Sequence, residues 1–312
     1  MLGWIFLVVA AQFLNAVVAV VDKYIVSSSN KLRPSVYAFY VGVLSSLSIL
    51  IFLFDGAAIP FTELHAPSFQ NVVFPSFYIF TLACIVGITF FVALLTLFSA
   101  LKRADASDVI PVAGAASAIS ALLLSFIFLD TSLSASFAWG FLLLVMGTLI
   151  LSLFHFSIKT LIFSILSGLM FGAHFVCLKL LFAVTVFDDA FFWSRVGIVV
   201  ISVLVFLFLP HQQKQSVSKL KEAGHKVWGL IIGNKMLAGL ASIMLLKAVE
   251  LGDVSIIQAL GGLQFVYLLS FTFLFGKDLP EICGEKCNRR QLIQKSIAVT
   301  IIVVGFIVLF LE

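Results

Sequence analysis

Residues 101–112 read LKRADASDVIPV, and residues 249–260 read VELGDVSIIQAL. Placed in register, Asp105 falls on Asp253 and Ser107 on Ser255, and one residue upstream Ala100 falls on Ala248. Each stretch lies between two long apolar runs, so each is a junction between consecutive apolar segments. In both, an aspartate stands just before the second run. There its carboxylate satisfies free N–H groups at a helix start and complements the helix dipole. Asp105 and Asp253 are therefore expected to be helix caps. A junction written twice, half a chain apart, points to a duplicated unit.

Further echoes fall in the same order. LLVMGTLIL (143–151) matches IIVVGFIVL (301–309), which sets Gly147 on Gly305. AFYVGVL (38–44) matches WSRVGIV (193–199), with Gly42 on Gly197, and Lys23 matches Lys179. The chain reads as two copies of one unit, residues 1–155 and 156–312.

Composition sets the class. Hydrophobic residues make up 62% and charged residues 11% of the chain, where a soluble domain carries about 25% charged residues. Too few polar side chains are present to cover a soluble fold of this size. Apolar runs long enough to cross a hydrocarbon core of about 30 Å recur throughout. The spans are expected at 2–21, 35–54, 76–100, 106–128, 136–155, 158–183, 190–209, 227–249, 254–275 and 294–311. The fold class is an all-α polytopic membrane protein with ten transmembrane helices. Strands of a membrane barrel would be shorter and would alternate. The first run has no basic start and no A-x-A site, so it reads as a span rather than a cleaved leader. Five spans per copy is odd, so the second copy enters the membrane from the opposite face. Such inverted repeats place a binding site between the copies near the midplane.

These residues resemble a known family. ALKRADASDVIPVAGA (100–115), FLDTSLSASFAWGFLLLVMG (128–147), AVELGDVSIIQALGGLQ (248–264) and the lysines Lys23 and Lys179 are similar to the EamA group of the drug/metabolite transporter superfamily. The resemblance spans nearly the whole chain. It implies export or exchange of small metabolites by alternating access without ATP, and it implies no particular substrate. The chain departs from the family after the ninth span, where FGKDLP (275–280) puts Lys277 before Asp278. An added EICGEKCNRR (281–290) lengthens the loop that follows.

Residue patterns bear on energy source and orientation. No phosphate-binding G-x-x-x-x-G-K-[ST] loop occurs, so transport would be facilitated or coupled to an ion gradient, with no cofactor and no metal. Fifteen of the 19 Lys and Arg residues fall in connections 1–2, 3–4, 5–6, 7–8 and 9–10. The positive-inside rule then puts both termini outside a cell or plasma membrane, whereas the resemblance implies cytoplasmic termini. The net charge of +4 comes from those loops, and no basic, aromatic-interleaved surface for nucleic acid is present.

Polar residues within spans mark candidate contacts, because a charge at the bilayer centre costs about 2.5–3.5 kcal/mol. Four cations, Lys179, Arg195, Lys235 and Lys247, are embedded in the second copy. Lys179 and Lys247 lie near helix ends and can snorkel. Lys235, beside Asn234 and with no acid within a turn, is the foremost candidate for a substrate contact. Gln12, Asn15 and Asp22 share one face of the first helix. Tyr40, His174, Gln258 and Gln264 complete the set of path candidates; the two glutamines do not share a helical face, so at most one is expected to point at a given cavity. His174 also reads as a packing residue. Asp22, Asp108 and Glu250 are the candidates for proton coupling.

Four embedded cations suggest an anionic or zwitterionic solute, such as an amino or organic acid, meeting Lys235 and Arg195. Two other readings remain. Asp188 and Asp189 offer a Mg²⁺ site for a membrane-embedded transferase acting on a phosphorylated lipid, although no further carboxylates cluster near them; the chain is read as a non-enzyme. Export of cationic drug-like compounds is the other. Gly168 and Gly172, in SGLMFGA (167–173), have the G-x-x-x-G spacing of close helix packing, inside the bundle or at a homodimer seam.

Overall fold

The computed structural model describes residues 3–28, 33–57, 66–104, 106–129, 135–151, 157–208 and 224–275, with scattered residues between 293 and 308. Every regular element among them is helical. The helices are α1 (Gly3–Ser28), α2 (Pro34–Leu44), α3 (Phe77–Leu101), α4 (Ala106–Phe128), α5 (Ala135–Leu151), α6 (Ile158–Val184), α7 (Phe187–Phe208), α8 (Gly224–Leu251), α9 (Val254–Ala259) and α10 (Leu263–Phe275). Eight spans among the described residues are long and apolar enough to cross a membrane. That fits a multi-pass membrane protein.

The expected spans map onto this order with two differences. The second continues beyond α2 as a 3-10 helix, Ser45–Phe54. Its serines explain the change: Ser45, Ser46 and Ser48 donate to the carbonyls of Gly42 (2.6 Å), Val43 (2.7 Å) and Ser45 (2.7 Å), each three residues back. The ninth is interrupted by the 3-10 turn Leu260–Gly262, at a glycine pair that weakens the helical ladder. The fifth is described as α5, Ala135–Leu151, and the rest of its expected range lies outside the described residues. The tenth is described only in part, and is helical where described.

Small residues let the helices approach. A Cβ on Gly168 would overlap the carbonyl of Ala113, and one on Gly172 would sit 2.5 Å from that of Ser117, so the G-x-x-x-G face of α6 is used against α4. Gly197 on α7 is as tightly set against Ala83 on α3. The most extensive helix pairs are α4 with α6, α3 with α6, α3 with α7, and α1 with α8. Each joins a helix from residues 1–155 to one from 156–312, so the two halves of the chain interlock.

Both quoted junctions are clamped by a lysine. Lys23 Nζ, near the end of α1, donates to the carbonyls of Leu101 (2.8 Å) and Ala104 (2.7 Å) at the end of α3. Lys179 Nζ, near the end of α6, donates to those of Val249 (2.8 Å), Glu250 (2.9 Å) and Gly252 (3.0 Å) at the end of α8. Lys179 thus satisfies orphan helix-end carbonyls rather than snorkelling. Lys247 pairs with Glu250 at 2.5 Å. Asp253 caps α9, accepting from the amides of Ser255 (2.7 Å) and Ile256 (3.3 Å). Asp105 lies outside the described residues.

The Asp188–Asp189 pair has a structural partner. Asp188 Oδ2 accepts from Ser68 N (3.1 Å) and Asn71 Nδ2 (2.7 Å), and Asp189 accepts from Val73 N (3.0 Å) and Thr185 Oγ1 (2.7 Å). The two carboxylates tie the connection ahead of α3 to the start of α7.

Candidate functional site

Between the interlocked halves lies a cavity of about 270 Å³, just below the lower bound of about 300 Å³ usual for small-molecule pockets. Residues 1–155 contribute Gln12, Asn15 and Asp22 from α1, with Phe90 and Ser117 from α3 and α4. Residues 156–312 contribute Phe171 and Phe175 from α6, Arg195 from α7, and Lys235 and Ser242 from α8. Gln258, Gln264 and Phe265 close it from α9 and α10. Four phenylalanines and several leucines make most of the wall apolar, and a few polar groups converge on it.

Arg195 is the charge of this cavity that lacks a carboxylate partner among the described residues. The residue is only 3% solvent-accessible. Its Nη2 donates to Ser242 Oγ at 2.9 Å, its guanidinium carbon stands 5.2 Å from the Phe191 ring centroid, and Nε has no hydrogen-bond partner. No carboxylate among the described residues pairs with it. A buried cation without a counter-charge is costly unless something else compensates it.

Lys235 is different. Its Nζ lies 2.6 Å from Asp22 Oδ1: no acid stands within a turn of it, and the one it pairs with comes from α1, far away in the chain. Tyr37 Oη (2.5 Å) and Asn234 Nδ2 (2.7 Å) donate to the same Oδ1. Charge-assisted O–H···O⁻ bonds fall in this range, about 2.5–2.7 Å. Three donors from two helices thus converge on one oxygen of Asp22. Asp22 Oδ2 accepts from none of the described residues, and Asp22 lines the cavity.

Of the path candidates, Gln12, Asn15, Arg195, Lys235, Gln258 and Gln264 line the cavity. Both glutamines do so, against the one-face expectation, because the turn Leu260–Gly262 breaks the helix between them. Gln258 Oε1 accepts from Ser117 Oγ (2.8 Å), and Gln264 Nε2 donates to the Asn15 carbonyl (3.1 Å). Asn234 stands behind the wall, holding Asp22. Two candidates lie elsewhere. His174 is packed against Phe90 with Nδ1 3.0 Å from the Val86 carbonyl. Tyr40 meets Trp228 edge-on, at 5.4 Å between ring centroids.

The sequence did not single out Tyr37 or Ser242. Tyr37 is an interior aromatic with nothing local to distinguish it. Ser242 lies seven residues beyond Lys235 on the same face of α8, a spacing that would have drawn attention to it.

No family model matches the chain, and no curated protein does. A solved structure described only as "Crystal structure of protein" is similar at 18% identity over 97% of each chain, with a TM-score of 0.62. That likeness speaks for the fold alone.

Proposed function

We propose that this protein is a secondary transporter that carries a small carboxylate-bearing metabolite, anionic or zwitterionic, through the cavity between its two halves. The observation that carries this reading is Arg195, a buried guanidinium without a carboxylate partner, facing a small and mostly apolar cavity. A solute carboxylate supplies the missing counter-charge by charge-assisted hydrogen bonds. The phenylalanine wall suits an apolar body, and the carboxamides of Gln12 and Asn15 suit an ammonium or hydroxyl group.

The duplicated junctions support alternating access. Lys23 and Lys179 clamp corresponding helix ends, as expected of two related five-helix units, and inverted units rock about a site set between them. On this reading the chain is a member of the EamA-like drug/metabolite transporters. The cavity's charges, Arg195 and Lys235 against Asp22, favour anions over cationic drugs.

The test is exchange in proteoliposomes with three probes that share one aromatic body: 3-phenylpropanoate, L-phenylalanine and phenethylamine. The two carboxylates are expected to exchange and the bare amine is not. Arg195→Met is expected to lower carboxylate exchange at least tenfold while the protein remains folded. Exchange of phenethylamine alone would overturn the reading.

A further inference from the structure

We infer that Asp22 is a proton-binding site, and that its protonation hands Lys235 from Asp22 to the carboxylate of the solute. This deepens the transport reading and rests on it.

The geometry divides the carboxylate into two ends. Oδ1 is occupied by Tyr37, Asn234 and Lys235. Oδ2 accepts from no described residue, and the Asp22 side chain is 10% accessible against 3% for Lys235. Of the two oxygens, Oδ2 is therefore the one left open to a proton. The charged and titratable groups around it are few. Lys235 faces Asp22 from α8 and Tyr37 from α2, and Arg195 on α7 is the other charge lining the cavity. Lys23, next in α1, is turned to the carbonyls of Leu101 and Ala104. The cavity residues of α3, α4, α6, α9 and α10 include no titratable side chain.

The step balances. A proton adds to Asp22 Oδ2 and gives the neutral acid, whose Oδ1 still accepts from Tyr37 and Asn234. Lys235 stays an ammonium and loses its counter-charge. A buried ammonium in that state must be paired again, and the incoming carboxylate pairs it. Lys235 and Ser242 lie two turns apart on one face of α8, and Ser242 holds Arg195. Both cations thus stand along one wall, where one carboxylate can be drawn by the second and secured by the first. Taking up a proton together with a monoanion leaves the net charge of the cavity as it was when empty. Binding one without the other changes it.

The experiment measures proton uptake on binding, with purified protein in weak buffer and 3-phenylpropanoate as the probe. Wild type is expected to take up close to one proton per probe bound, and affinity is expected to fall about tenfold per pH unit once Asp22 is ionised. Asp22→Asn keeps the shape and the acceptor. It is expected to bind the probe without proton uptake and without that pH dependence. In proteoliposomes it should lose accumulation driven by an acid gradient. Probe binding by wild type with no proton uptake overturns the inference and leaves the transport reading standing, and this measurement needs no variant. Proton uptake that persists in Asp22→Asn also overturns it. Wild type that neither binds nor exchanges any of the three probes overturns both.

Discussion

Lys179 sits on the carbonyl end of α8 as Lys23 sits on the carbonyl end of α3. In each case one ammonium satisfies carbonyls that the helix leaves without partners. Lys179→Met or Lys23→Met keeps the aliphatic stem and removes the donor. Each is expected to destabilise the fold by about 1–3 kcal/mol, the cost of leaving such groups unpaired. The two losses should add, since the clamps share no partner. Thermal unfolding in detergent, followed by tryptophan fluorescence, checks this. Unchanged midpoints in both variants would rule the clamps out.

Glycines on the α6 seam separate packing from propensity. In Gly172→Ala the new methyl would lie 2.5 Å from the Ser117 carbonyl, so α4 and α6 must part, at about 1–3 kcal/mol. Gly233→Ala on α8 meets nothing within 4 Å and should be neutral or stabilising by up to about 1 kcal/mol. A lower midpoint for Gly172→Ala and an unchanged or higher one for Gly233→Ala in the same unfolding assay are the expected result.

Tyr37→Phe removes one donor from Asp22 and keeps the ring, 4.6 Å from that of Phe98. The expected loss is about 0.6–1.7 kcal/mol, the scale of hydrogen bonds within membrane bundles. Combined with Asp22→Asn, the effect should shrink, because a neutral acceptor gives the phenol less to hold. A double-mutant cycle measures that coupling. Strict additivity would show that the two groups act independently.

The bias of Lys and Arg towards one set of connections predicts orientation. Gln70 lies on the connection ahead of α3, and Ile158, 68% exposed, begins α6. With the four native cysteines replaced, a membrane-impermeant maleimide added outside intact cells should label Gln70→Cys and not Ile158→Cys. The reverse pattern would put both termini in the cytoplasm.

Much of this architecture was legible because membrane helices announce themselves through length and apolar runs. The fourth span was expected at 106–128, where α4 lies, and the Asp253 cap could be read from its place before an apolar run. The breaks were harder. The serines at 45–48 and the glycines at 261–262 are ordinary in membrane helices, and their spacing alone does not say whether they tighten or interrupt one. In the cavity, most of the lining candidates came from counting polar residues in apolar surroundings. The pairing of Asp22 with Lys235 could not be found that way, since it joins α1 to α8 and no local spacing links them. That pairing moved the foremost anion contact from Lys235 to Arg195.

The tightened winding of Ser45–Phe54 has a consequence for reach. A 3-10 helix climbs about 2.0 Å per residue against about 1.5 Å for an α-helix, so these ten residues extend about 5 Å further than the same residues wound as α. Ser45 opens this segment at the cavity wall. A change of winding there would shorten or lengthen one strut of the bundle by nearly a full α-helical turn, with no helix needing to slide.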